Sequence, residues 1–114
     1  MSNNPSTLAR GNIVNQWTLA ITLSPTSVAN ATSAEQTFAL VGLHLGDFVD
    51  VSKPTAQAGL GIVGTRVSAK DVLAITFMNA TAATITPTAS EIYTVQVNRP
   101  ENLVSNVSSL GGPF

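Results

Sequence analysis

Cysteine is absent from this chain, and aromatic and charged residues are scarce. Without cysteine, the 114 residues can form no disulfide and carry out no thiolate chemistry. Charged residues make up 10% of the chain, whereas an average soluble domain has about 25%. The net charge is −1, so the sequence lacks the basic footprint by which proteins bind nucleic acid or anionic lipid. We therefore expect neither nucleic acid nor a membrane as a partner.

Long apolar runs are also missing. No run approaches the ~18 residues that a membrane span requires, and residues 1–12 lack the apolar centre of a signal peptide. The composition implies a weakly charged surface rich in threonine and alanine, which is unusual for a freely soluble monomer because net charge keeps proteins apart. We therefore expect much of the surface to rest against another protein.

Strict alternation of apolar and polar residues marks the second half of the chain. Apolar side chains stand at positions 73, 75 and 77 of residues 72–78, and at 93, 95 and 97 of residues 91–97. Successive side chains leave a pleated backbone on opposite faces, so this pattern predicts half-buried strands. Residues 62–68 supply another strand. We predict that these three strands form an antiparallel meander.

The first half of the chain predicts further strands over residues 13–24, 36–43 and 48–51. Pro25 ends the first of these strands because it lacks the N–H that a sheet needs. Both faces of residues 36–43 are apolar, which predicts a strand lying between the core and a partner, and Gly42 within it predicts a bulge or a close backbone approach. Residues 26–34 and 79–90 are small and polar, and are loops or short irregular strands.

Six or seven short strands separated by turn signals predict an all-β fold, either a small antiparallel β-sandwich or a jelly-roll-like barrel. We place the sandwich domain at residues 13–98, between an N-terminal arm (1–12) and an apolar C-terminal tail (99–114) that we expect to dock either on its own sheet or on a neighbouring subunit. The predicted inward side chains are Trp17, Leu19, Ile21, Phe38, Leu40, Leu73, Ile75, Phe77, Tyr93, Val95 and Val97.

The run Gly59-Leu60-Gly61-Ile62-Val63-Gly64 matches the GxGxxG pattern of dinucleotide-binding proteins. That fingerprint requires a strand before it, a helix after it and an acidic residue about 20 positions later. A small-residue loop precedes the run, the β-favouring stretch 65–68 follows it, and Asp71 comes too early. We interpret the run as a loop that enters a strand.

His44 is the single histidine of the chain. A general base needs a nucleophile or an orienting carboxylate within reach, and although Asp47 and Asp50 are near in sequence, nothing pairs these residues as a catalytic set. We interpret His44 as a turn or interface residue. Asp47 and Asp50 with one more oxygen could hold a calcium ion, but the run lacks a dense carboxylate loop.

Arg66, Lys70 and Arg99 are the basic residues that a surface patch would use. Three isolated charges are more often solvated groups or members of single salt bridges. We therefore predict no catalytic residue, no cofactor and no metal site, and no enzymatic activity.

Several short motifs resemble those of one known protein class. They include Ala34-Glu35-Gln36-Thr37-Phe38, Gly46-Asp47-Phe48-Val49, the run from Thr55 to Val63, and Leu73-Ala74-Ile75-Thr76-Phe77. In this respect the chain resembles the small virion structural proteins of tailed bacteriophages that decorate or cement the capsid, over roughly residues 15–100. The resemblance implies a non-enzymatic β-domain on the capsid surface of the virion, assembled in the host cytoplasm.

The same resemblance implies an oligomer bound to the major capsid protein. A trimer is the expected oligomer, because decoration proteins often sit on local three-fold axes. We expect the arm and the tail to clamp the capsid or neighbouring subunits while the sandwich faces solvent. The alternative is a receptor- or carbohydrate-binding β-module on a phage tail or fibre, which usually exposes aromatic side chains to sugars.

Overall fold

The computed structural model describes the backbone of residues 13–100 and the side chains of residues 15–100. This part of the chain is all-β, as predicted, and contains no helix, so it has no helix that could cross a membrane. Its six strands are β1 (Ile13–Leu23), β2 (Thr32–Ala39), β3 (Phe48–Ser52), β4 (Leu60–Ala69), β5 (Val72–Asn79) and β6 (Glu91–Pro100).

The six strands form two antiparallel sheets of three strands. Sheet 1 has the order β1-β6-β3 and sheet 2 the order β2-β5-β4. The predicted meander was therefore wrong in its last strand. β4 and β5 are joined by a tight hairpin, but residues 80–90 carry the chain across to sheet 1, where β6 lies between β1 and β3. The alternating pattern shows which face of a strand is buried, but it does not show which other strand that strand pairs with.

The core lies between the two sheets. All of the predicted inward side chains point into it, and those of the two central strands are fully buried, whereas those of the edge strands are partly exposed. The core also contains buried apolar residues absent from the predicted set, mostly from loops and strand ends: Leu23, Val28, Leu43 and Val67. Val28 and Leu43 lie in loops, where no alternation reveals a buried side chain, whereas Leu23 and Val67 lie in predicted strands and were left out of the inward set.

The predicted strand 36–43 is displaced in the structure. β2 begins earlier and ends at Ala39, after which the Leu40 N–H bonds the Asp71 carbonyl at 2.9 Å. Gly42 has φ 109 and lies in the loop beyond the strand, so the bulge predicted within a strand was wrong. β6 continues to Pro100, past the predicted domain boundary at 98. The predicted arm (1–12) and the rest of the predicted tail (101–114) lie outside the described residues.

Candidate functional site

At one end of the sandwich lie the loop of residues 40–47, the β4–β5 turn, the first residues of β1 and the last residues of β6. We call this end the tip. Ile13 and Pro100 are opposite each other in the register of β1 and β6. Both segments that lie outside the described residues therefore attach to the sandwich at the tip.

Three large apolar side chains are exposed at the tip. Val41 is 82% exposed and Leu45 67%, and both lie in the loop, while Phe48 is 61% exposed and begins β3 opposite Asn98. Such side chains scattered singly need no explanation, but a group of them marks an interaction surface. The predicted strand 36–43 included Val41, but Val41 lies in the loop after β2, and a partner at this surface stays a prediction.

A buried ion pair fixes the loop behind this surface. Arg99 donates from Nε to Asp47 Oδ1 (2.9 Å) and from Nη2 to Asp47 Oδ2 (2.8 Å), and the Asp47 residue is only 8% exposed. The Arg99 bonds hold the pKa of Asp47 below its ordinary value, although burial acts in the opposite direction. Paired bonds of this kind are strong and directional, so β6 sets the position of the loop.

Arg99 also organises its other surroundings. Its Nη2 donates to the Gly42 carbonyl at 2.8 Å, and its guanidinium lies 4.9 Å from the centroid of the Trp17 ring. Asp47 Oδ2 accepts a further bond from the His44 N–H at 2.9 Å. One side chain of β6 thus contacts β1 and both halves of the loop. These partners are too far apart in sequence for local patterning to predict.

Asp71 holds the loop from the opposite sheet. Its carbonyl accepts from Leu40 N–H (2.9 Å), its N–H donates to the Leu43 carbonyl (2.9 Å), and its Oδ1 accepts from Gly42 N–H (2.8 Å). Asp71 has φ 61, a left-handed conformation that aspartate and asparagine tolerate better than most residues. The exposed residues of the tip are therefore presented by a loop fixed from both sheets.

Replacing Asp71 by alanine is expected to lower the free energy of unfolding by about 2 kcal/mol. Alanine removes the Gly42 bond and occupies the left-handed region at a further penalty. Asp71→Asn is the matched control, because it keeps an Oδ1 acceptor and tolerates the backbone, and we expect a much smaller loss. Urea unfolding of both variants measures the difference. Equal losses would show that the side-chain bond is unimportant.

The other predicted candidates lie apart from one another. His44 is exposed, and Asp50 points outward from β3. Both Asp47 oxygens are bonded to Arg99, so Asp47 is a partner of a cation rather than an open metal ligand. Nowhere in residues 13–100 do three or more His, Cys, Asp or Glu residues gather as a metal site would require.

The basic residues are separate, as the salt-bridge interpretation predicted. Arg66 makes a two-bond pair with Glu35, at 2.8 Å for each bond, and lies on the outer face of sheet 2. The pair reaches across β5, where Ala74 is fully buried beneath it. Arg99 is at the tip. Arg66 and Arg99 therefore belong to two separate ion pairs, on different sheets.

The glycine run is also where the loop-into-strand interpretation placed it. β4 starts at Leu60, Gly59 has φ 80 in the turn before it, and a bulge separates Ile62 from Gly64. The run continues as a strand and no helix follows it. A dinucleotide site would need that helix, because its N-terminus binds the pyrophosphate.

A second polar cluster lies at the end opposite the tip. Lys53 Nζ is 3.0 Å from Glu91 Oε1, and the Thr55 hydroxyl donates to Glu91 Oε2 at 2.5 Å. The pKa of Glu91 is lowered, mainly by the hydrogen bond from Thr55 and to a smaller extent by the contacts with Lys53. Burial raises the pKa of nearby Tyr93 to about 12, and the Glu91 charge adds to this effect. The cluster ties the segment after β3 to the start of β6.

A shallow groove runs between the edges of β3 and β4. Its volume is about 260 Å³, and its lining is Asp50, Val51, Ile62, Val63, Gly64 and Thr65. It contains a single carboxylate and no partner for it. The groove therefore offers no acid–base pair.

Comparison with known protein families, with curated proteins and with solved structures found no match to this chain.

Proposed function

We propose that this chain is a structural adhesion protein of a tailed-bacteriophage virion, which decorates or cements the head by binding the major capsid protein. The observation that carries the proposal is the tip, where Val41 and Leu45 are exposed on a fixed loop and Phe48 is exposed at the start of β3. Both ends of the described chain also emerge there. A decoration protein needs a rigid fold and an exposed binding surface, and it does not need an active site.

The low charge of the chain supports the same function. Outside the three ion pairs, the described residues add few charges to the surface, so little desolvation of charge opposes contact with another protein. The alternative, a sugar-binding tail or fibre module, has less support. Tyr93 is fully buried, and Trp17 is partly buried with Arg99 against its ring. Phe48 is the one aromatic side chain among the described residues that is exposed, so a sugar would meet a single ring there.

The test is binding of the full chain to heads assembled from the major capsid protein of the same virus. Leu45→Asp puts a charge into the tip and is expected to weaken binding by about tenfold or more, since one buried leucine contributes about 1.5–3 kcal/mol. Ile92→Asp is the matched control: Ile92 is 59% exposed but lies at the opposite end of β6. We expect it to bind as the unchanged protein does.

Truncations separate the tip from the two chain ends. Deletion of residues 1–12 and, separately, of residues 101–114 is expected to reduce loading on heads. Full loading by both shortened forms would disprove the clamping role of these segments. Failure of the full chain to bind the heads, or equal binding by the Leu45→Asp and Ile92→Asp variants, would overturn the proposed function.

A further inference from the structure

Four strands lie at the edges of the two sheets, and three of them carry features that discourage pairing with another chain. β2 carries the charged residue Glu35, β3 has only five residues, and β4 is interrupted by register shifts at Ile62/Gly64 and Val67/Ala69. Charges, short length and bulges are the usual means by which proteins protect an exposed sheet edge.

β1 has none of these protections along its main length. It is 11 residues long and has neither charge nor proline, and its one register shift lies at its first residues, Ile13/Asn15. In the described part of the chain it pairs with β6 alone. Its outer edge therefore presents a row of N–H and C=O groups that are suited to pairing with another strand.

The seam between the sheets is open beside this edge. On the opposite side of the sandwich the Thr65 hydroxyl donates to the Val49 carbonyl at 2.8 Å and joins the two sheets. On the β1 side, the Gln36 amide bonds the backbone of Thr26 and closes the half away from the tip. The half nearer the tip is lined by partly exposed apolar residues: Trp17, Leu19, Phe38 and Leu40.

We propose that β1 is a dimerisation edge, at which two copies of this chain pair their β1 strands antiparallel and join into one six-stranded sheet. A two-fold axis normal to the sheet keeps the inner faces of both copies on the same side. Because the paired strands are antiparallel, the half of each seam nearer the tip lies beside the opposite half of the other copy's seam. The partly exposed Trp17 and Leu19, which lie near the middle of β1, then cover Leu19 and Trp17 of the second copy. No charge lies on either β1 strand to oppose the contact.

The register follows from the length of the strand. Pairing all of Ile13–Leu23 with itself places Thr18, its middle residue, opposite Thr18 of the second copy. Thr18 is exposed on the outer face, and threonine pairs across strands are favourable. This inference does not depend on the proposed function, because it concerns two copies of the chain alone.

The test is the mass of the full chain in solution, measured by sedimentation equilibrium. A mass of twice 11.8 kDa is expected. Thr18→Lys and Thr18→Glu each place like charges opposite each other and are expected to weaken self-association at least tenfold. An equimolar mixture of the two variants is expected to regain the dimer, because opposite charges then face each other.

Thr37→Lys is the control, with the same change at an exposed threonine of β2, and it is expected to remain dimeric.

Amide exchange of the unchanged protein provides a measurement without any variant. Amides of residues 15–21 are expected to exchange more slowly as the concentration rises. The proposal is overturned if the mass is that of one chain or of three chains, or if Thr37→Lys dissociates the protein as much as Thr18→Lys does. It is also overturned if mixing the two Thr18 variants restores no dimer, or if the β1 amides are protected equally at all concentrations. The last result would show that residues of the same chain cover the edge.

Discussion

Replacing Arg99 by alanine is expected to lower the free energy of unfolding by about 3 kcal/mol, because it leaves the buried Asp47 carboxylate without its cation. The same change removes the donor to the Gly42 carbonyl and uncovers the Trp17 ring. Losing one member of a buried pair is severe because the remaining charge is still desolvated. Guanidinium unfolding at neutral pH measures the loss.

Arg66→Ala is the matched control for this result. Arg66 makes the same two-bond contact, to Glu35, but its side chain is 62% exposed, whereas that of Arg99 is 24% exposed. Exposed pairs contribute little because water replaces the lost partner. We expect a clearly smaller loss from Arg66→Ala. Equal losses would show that burial of Asp47 is not the source of the effect.

The pH dependence gives an independent check of the Asp47–Arg99 pair. Arg99 lowers the pKa of Asp47 in the folded state, so the unfolded chain takes up this proton first as the pH falls. The contribution of the pair is therefore fully present above about pH 4, the ordinary aspartate range, and is lost as the pH falls through the folded pKa. The stability difference between the unchanged protein and Arg99→Ala is expected to shrink in acid.

The strands were predictable because burial of one face leaves an alternating pattern in the sequence. That pattern found all of β1, nearly all of β5 and most of β6. It did not place β6 in sheet 1, because the pairing depends on how residues 80–90 cross between the sheets. The contacts that hold the loop of the tip could not be predicted either, since Asp47 and Arg99 are 52 positions apart and no local pattern links them.

The two proposals together imply a particular geometry for the assembly. Antiparallel β1 strands place the two tips at opposite ends of the dimer, separated by roughly the 35 Å length of the strand. Such a dimer has one adhesive end for each of two neighbouring sites. Binding at both ends raises the overall affinity without any new contact, provided that the spacing fits. The predicted trimer stays a prediction, and the mass in solution distinguishes it from this dimer.

Gly59→Ala is expected to lower the free energy of unfolding by about 3 kcal/mol, for two reasons that act together. Gly59 has φ 80, which alanine adopts only with strain. A Cβ at this position would also overlap Cγ2 of Thr81. Thr81 cannot turn away freely, because its hydroxyl lies 2.7 Å from Asn79 Oδ1 and 2.8 Å from the Ala83 carbonyl and donates its one proton to either of them.

Gly61→Ala is the matched control, two residues further along the same glycine-rich run. Gly61 lies in β4 with an ordinary backbone, and a Cβ there would meet no atom within 4 Å. Alanine at 61 is therefore expected to leave stability unchanged or to raise it slightly, because it restricts the unfolded chain. Thermal unfolding of the two variants compares them directly. A large loss for Gly59→Ala alone would show that this glycine is required by the turn into β4 and by its contact with Thr81. Equal effects at both positions would contradict that explanation.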